Sequence, residues 1–118
     1  MAAPAIPELH LRQISRWCQQ RIPASLRDQV QVEHRVRGRT VTIVERRPPW
    51  RPGLGPEWTT MPIAQLRYAS PPPGGGRWRL YWADRNRRWH LLDDVAPAAT
   101  PAPLLAELDA DPTGIFWG

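Results

Sequence analysis

The residues of this chain that carry chemistry are overwhelmingly arginine and tryptophan. All sixteen positively charged side chains are arginine, lysine is absent, and there are seven tryptophans. They are densest from Arg77 to His90, which reads RWRLYWADRNRRWH. Both residue types are over-represented in binding hot spots, and arginine in contacts to base edges. A guanidinium neutralises phosphate and an aromatic ring stacks on a base, so the chemistry this stretch suggests is recognition rather than catalysis.

Catalytic signatures are correspondingly thin. Without lysine there is no phosphate-binding P-loop, no Schiff base and no lysine general base. GxSxG, HExxH and GxGxxG are also missing, and no cofactor is implied. His10, His34 and His90 are far apart in sequence. His90 beside Tyr81 and one acid makes a general acid–base candidate with no nucleophile. Asp93, Asp94, Asp109 and Asp111 meet at a divalent metal only if the tail folds back; Asp109-Ala-Asp111-Pro reads better as helix-end and turn chemistry, so no metal ligand is assigned. Cys18, the lone cysteine, forms no internal disulfide, and its place in a helical stripe makes it a core residue before a reactive thiol.

Charge is unevenly spread. Residues 1–90 hold all the arginines against six acids; residues 91–118 hold none, with Asp93, Asp94, Glu107, Asp109 and Asp111. A basic body with an acidic tail points to anionic partners, nucleic acid first, unless the tail pairs with the body's own arginines. G/C-rich coding accounts for arginine in place of lysine as readily as function does, but not for seven tryptophans. The N-terminus lacks a signal-peptide pattern and no apolar run approaches the ~20 residues of a membrane span, so a cytoplasmic protein with no membrane partner is expected.

At 118 residues the chain fits one domain, spanning 1–118, with enough core to fold without disulfide or metal. Residues 7–22 read as a helix with Leu11, Ile14, Cys18 and Ile22 on one stripe, ended by Pro23. Ser25 to Gln29 suggests a further turn. A hairpin follows over 30–46 about an Arg37-Gly38 turn, with Val32, His34, Val36, Val41 and Ile43 on one face and Gln31, Glu33, Arg35, Thr40, Thr42 and Arg46 on the other. His34 reads as a core histidine. Residues 47–62 are expected to be a Pro-rich loop, 63–69 a strand, and 77–93 a Trp hairpin. In that second hairpin Trp82 is expected opposite Trp89, Leu80 opposite Leu91 and Tyr81 opposite His90. This puts Trp78, Leu80, Trp82, Trp89 and Leu91 in the core and Arg79, Tyr81, Arg88 and His90 outside. Residues 101–118 make a short helix and a tail that docks on the core. The predicted fold is α+β: a five-stranded antiparallel sheet, two hairpins plus a middle strand, with both helices on one face.

The runs VTIVERRPPW (41–50), PIAQLRY (62–68), LYWADRNRRWH (80–90) and LLAELDADPTGIFWG (104–118) together resemble a bacterial family of small Trp/Arg-rich proteins, the domain of unknown function numbered thirty-twenty-four. The resemblance covers roughly residues 7–118. It implies one compact domain and assigns no activity. Arg87 departs from the glycine expected after Asn86, which puts an arginine in a left-handed conformation at some cost.

Three functions follow in order. The first is a binding module for RNA or single-stranded DNA, using Arg35, Arg46, Arg67, Arg79, Tyr81, Arg88 and His90 on the open sheet face. The second is a protein-interaction domain whose Pro-rich loop presents Trp50 and Trp58, with RRPPWRP a weak polyproline-type ligand. The third is a small metal- or His-dependent hydrolase.

Overall fold

The computed structural model describes residues 6–49, 58–69 and 76–117. In chain order these form α1 (Glu8–Arg21), a single 3-10 turn (Ala24–Leu26), β1 (Gln31–Arg37), β2 (Thr40–Arg47), β3 (Thr59–Ala69), β4 (Arg77–Ala83), β5 (Trp89–Leu91) and α2 (Ala102–Ala110). The strands form one antiparallel meander in the order β1-β2-β3-β4-β5. Both helices pack on the same face, as the apolar alternation of the strands requires.

The first hairpin turns at Gly38-Arg39, not at Arg37-Gly38: Arg37 pairs with Thr40 and Val36 with Val41. Gly38 has φ +61, so it occupies the first central position of a two-residue turn, where a positive φ is needed and glycine supplies it without a Cβ penalty. The shift is two residues, so every side chain keeps its expected face.

The Pro-rich stretch is shorter than expected. β2 runs to Arg47 and β3 begins at Thr59, so Pro62 sits inside a strand, paired with Val44. Two features permit this. The β2–β3 register shifts between Ile43 and Val44, leaving Ile63 as an extra bulged residue, and β4 pairs β3 only from Ala64 onward. Pro62 therefore lies beside a bulge where β3 has no β4 partner, a place that tolerates a missing N–H.

The second hairpin is out of register by one residue from the sequence expectation. Trp82 pairs with His90, Tyr81 with Leu91 and Ala83 with Trp89. The cause is a three-residue loop. Arg87 N–H donates to the Asp84 carbonyl (2.9 Å), Asp84 N–H donates to the Arg88 carbonyl (2.9 Å), and Arg87 takes φ +61. This is a turn followed by a left-handed bulge residue. An odd slip exchanges faces, so Trp89 and Leu91 leave the core side and His90 joins it, stacked on Trp82 at 4.7 Å between ring centroids.

The core joins Ile14 and Cys18 of α1, Val32, Val41, Ile43, Ala64, Leu66, Trp78 and Leu80 of the sheet, Leu104, Leu105 and Leu108 of α2, and Phe116 of the tail. Trp78 is the largest fully buried side chain among the described residues. Its indole N–H donates to His10 Nδ1 at 3.0 Å, and Tyr68 packs against both rings. The tail docks as expected: Asp111, itself left-handed at φ +38, accepts from the backbone N–H groups of Phe116 (3.2 Å) and Trp117 (2.9 Å), and the Trp117 indole donates to the Leu108 carbonyl at 2.8 Å.

The His10–Trp78 bond sets a pH dependence. Nδ1 must stay unprotonated to accept, and burial lowers the His10 pKa from 6.5. Between the lowered folded value and 6.5 the unfolded chain binds more protons, so stability is full above 6.5 and is lost as pH falls through the folded value. Denaturant unfolding is expected to show lower stability at about pH 5 than at about pH 7.5. His10→Leu is expected to flatten this component and to cost ~1–3 kcal/mol at neutral pH by leaving the indole N–H unpaired.

Candidate functional site

The face of the sheet away from the helices carries Glu33, Arg35, Thr42, Val44, Arg46, Gln65, Arg67, Arg79, Tyr81, Trp89 and Leu91, by strand alternation and pairing. β3 and β4 hold its best-organised part. The Arg67 guanidinium lies over the Tyr81 ring, its Cζ 3.8 Å from the centroid. Gln65 Oε1 accepts from Arg67 Nε (3.1 Å) and Nη2 (2.9 Å), while Gln65 Nε2 donates to Thr42 Oγ1 at 3.1 Å. The guanidinium plane is thus held by an amide on its edge and a ring on one face, a cation–π stack of ~0.5–2 kcal/mol. Arg79 stands opposite Arg67 across the strand pair. Like charges so placed repel, and an anion between them relieves the repulsion.

The other expected residues are distributed differently. Arg46 is committed within the fold: Nη1 is 3.4 Å from Glu33 Oε1, and its guanidinium lies 5.9 Å from the Trp58 ring. Among the described residues Arg35 and Arg79 have no hydrogen-bond or ion-pair partner. His90 belongs to the helix-side face, so its expected place beside Tyr81 is corrected. Arg88 lies in the turn before β5, outside the sheet, because the three-residue loop ends there. Trp50 lies outside the described residues.

His90 instead meets Asp84, Nε2 to Oδ2 at 2.8 Å. Asp84 also accepts at Oδ1 from the backbone N–H groups of Asn86 (2.8 Å) and Arg88 (3.0 Å). The hydrogen bond from His90, then those from the backbone, lower the Asp84 pKa below the usual carboxylate value. One carboxylate therefore holds the whole turn, and its partner histidine is used structurally.

Asp109 and Asp111 of the acidic tail do not lie across the arginines. Asp109 Oδ2 accepts from the Trp17 indole at 3.1 Å and Oδ1 lies 3.5 Å from Arg21, both on α1. Asp111 is spent on the tail. Cys18 is buried, and its thiol is pushed up to about 12 by burial and by Glu33, which leaves it protonated at neutral pH.

Sequence reasoning missed Trp89, Leu91 and the bracing of Arg67 by Gln65. The signal for the first two was present: a left-handed Arg87, expected from sequence, belongs to a three-residue loop, and that loop dictates the slip.

The family described as "Domain of unknown function (DUF3024)" matches residues 2–118. The chain belongs to this family. No curated protein and no solved structure matches it. Family membership brings no activity with it. Among the described residues of this family member, no helix is long and apolar enough to cross a membrane.

The turn yields a direct check. Arg87→Gly removes the steric cost of a left-handed non-glycine residue, and is expected to raise stability by about 1 kcal/mol in denaturant unfolding. Asp84→Ala is expected to lower it by ~1–2 kcal/mol and to weaken the hairpin, seen as faster amide exchange at Trp89–Leu91.

Proposed function

We propose that this chain is a non-enzymatic module that binds single-stranded nucleic acid, RNA or DNA, on the open sheet face, with Arg67, Arg79, Tyr81 and Trp89 at the centre. The observation that carries the reading is the Gln65–Arg67–Tyr81 stack beside the unpartnered Arg79. Tyr81 already has a guanidinium on one ring face. An unstacked base lands on the outer face of that guanidinium, as bases do on arginine planes, while Arg79 takes the adjoining phosphate. Trp89 and Leu91, which is 43% exposed, extend the aromatic and apolar surface along β5. Asp109 of the tail engages α1 and Asp111 engages the tail backbone, so neither competes for this face. A reducing, cytoplasmic setting is proposed for a chain whose one cysteine is free.

The test is fluorescence anisotropy with labelled U-rich RNA and single-stranded DNA across a salt series. Affinity is expected to fall linearly in log–log form with salt. Arg79→Ala should reduce the slope by about one. Tyr81→Ala should cost ~1–3 kcal/mol through loss of the stack. Arg16→Ala, an equal change of charge on α1, serves as the control and should change little. Absence of binding at low salt ends the proposal, and so does an equal loss from Arg16→Ala.

A further inference from the structure

The long free edge of the sheet is β1. The outer edge of β4 is occupied by β5, by Leu92, whose N–H donates to the Leu80 carbonyl (2.9 Å), and by Ala98, which exchanges two backbone bonds with Trp78. β1 pairs with β2 on one side, and among the described residues no strand pairs with its other side. A bare seven-residue edge is a template for pairing with another chain unless the sequence prevents it.

Charge, apolar pattern and backbone phase of β1 all suit one occupant. We infer that the partner is a second copy of this chain, with β1 pairing antiparallel to β1 about a two-fold axis through His34. In that register Glu33 stands opposite Arg35 of the second copy, and Arg35 opposite its Glu33. Val32 stands opposite Val36 of the second copy and the reverse, and Gln31 opposite Arg37. The charges of β1, which would deter a random edge, are thus self-complementary.

Backbone phase agrees. In a two-residue hairpin the pair flanking the turn exchanges hydrogen bonds, and bonded pairs alternate along the strand. Arg37 flanks the turn, so Arg37, Arg35, Glu33 and Gln31 use their backbone groups on β2. Val32, His34 and Val36 turn theirs outward, and these three are the bonded pairs of the two-fold register, giving about six new hydrogen bonds. The Glu33–Arg35 pairs fall at the non-bonded positions, where side chains approach closest.

The apolar contacts also have a place. Val36 is 48% exposed although it lies on the helix-side face. Beside the edge run two open troughs. One, of about 200 Å³, is lined by Cys18, Ile22 and Val32 together with Arg27, Gln31 and Glu33; the next, of about 260 Å³, shares Cys18, Val32 and Glu33 with it and adds Ser15 and His34. Val36 of the second copy, placed opposite Val32, enters the first trough, so the exposed valine of each copy is covered by the other. Arg35 is then an assembly residue, which leaves the nucleic-acid reading to β3–β5 and independent of this one.

Sedimentation velocity of the full chain, from low micromolar to near-millimolar concentration, tests the pairing. A species of twice the 13.5 kDa chain mass is expected to grow with concentration. Arg35→Glu sets Glu33 against a glutamate of the second copy and should weaken the dimer by about tenfold or more. Glu33→Arg should do likewise. The double variant E33R/R35E restores opposite pairs and should recover most of the lost affinity, which a folding defect would not; melting curves confirm that each variant is folded. A wild type that stays monomeric throughout overturns the inference. So does a dimer indifferent to Arg35→Glu, or a double variant as dissociated as the singles.

Discussion

The hydrogen bond from the Trp78 indole to His10 is the constraint on which the rest of the molecule hangs. Trp78 sits on β4 with none of its surface exposed, and a buried indole N–H needs an acceptor. α1 supplies it, so the helix is tied to the sheet at one strand pair, where Tyr68 and Trp78 face each other. Truncating a residue this large typically costs about 3–5 kcal/mol. With Trp78 fixed inward, strand alternation leaves no choice for its neighbours. Arg77, Arg79 and Tyr81 turn the other way, and Arg67 follows on β3. The same event that builds the core therefore sorts the arginines onto the face the helices leave open.

A second clamp keeps that face clear. Trp17, Arg21, Asp109 and Trp117 form one cluster joining α1, α2 and the tail: an indole–carboxylate bond, a partly exposed ion pair, and the Arg21 guanidinium 4.6 Å from the Trp117 ring. Individually such surface contacts are worth little. Their consequence is directional. They place Asp109 on the helix side, opposite the sheet arginines, so the +5 formal charge of the chain is not neutralised where Arg67 and Arg79 stand. A basic face whose arginines are not paired with Asp109 or Asp111 is suited to drawing in an anionic chain.

Much of this was legible in the sequence because period-two alternation is a strong signal. Val32, Val41, Ile43 and Leu80 read as inward and lie inward, and the short helix and docking tail read over 101–118 bring Leu104, Leu105, Leu108 and Phe116 to the core. A two-residue error at Gly38 did no harm, since it preserves parity. A one-residue error at Asp84–Arg88 moved Trp89 and His90 to opposite faces and so altered the candidate site. Loop length decides parity, and it was set here by the Asp84 carboxylate and a left-handed arginine, neither of which has a period. Pro62 in a strand was hidden for a related reason: a bulge and the short reach of β4 are properties of the pairing, not of the segment. Polar racks such as Thr42–Gln65–Arg67 are invisible until the strands are in register.

The central claim is that the two faces do different work: tryptophan inside for stability, arginine with Tyr81 and Trp89 outside for binding. Indole N–H resonances report it directly, because each tryptophan gives its own signal. Titrating the isotopically labelled protein with single-stranded RNA should shift the Trp89 indole together with the backbone of Gln65, Arg67, Arg79 and Tyr81, and leave the Trp78 and Trp17 indoles in place. Shifts confined to Trp17, Trp117 and the helices, or no shift at any tryptophan at saturating RNA, would contradict it.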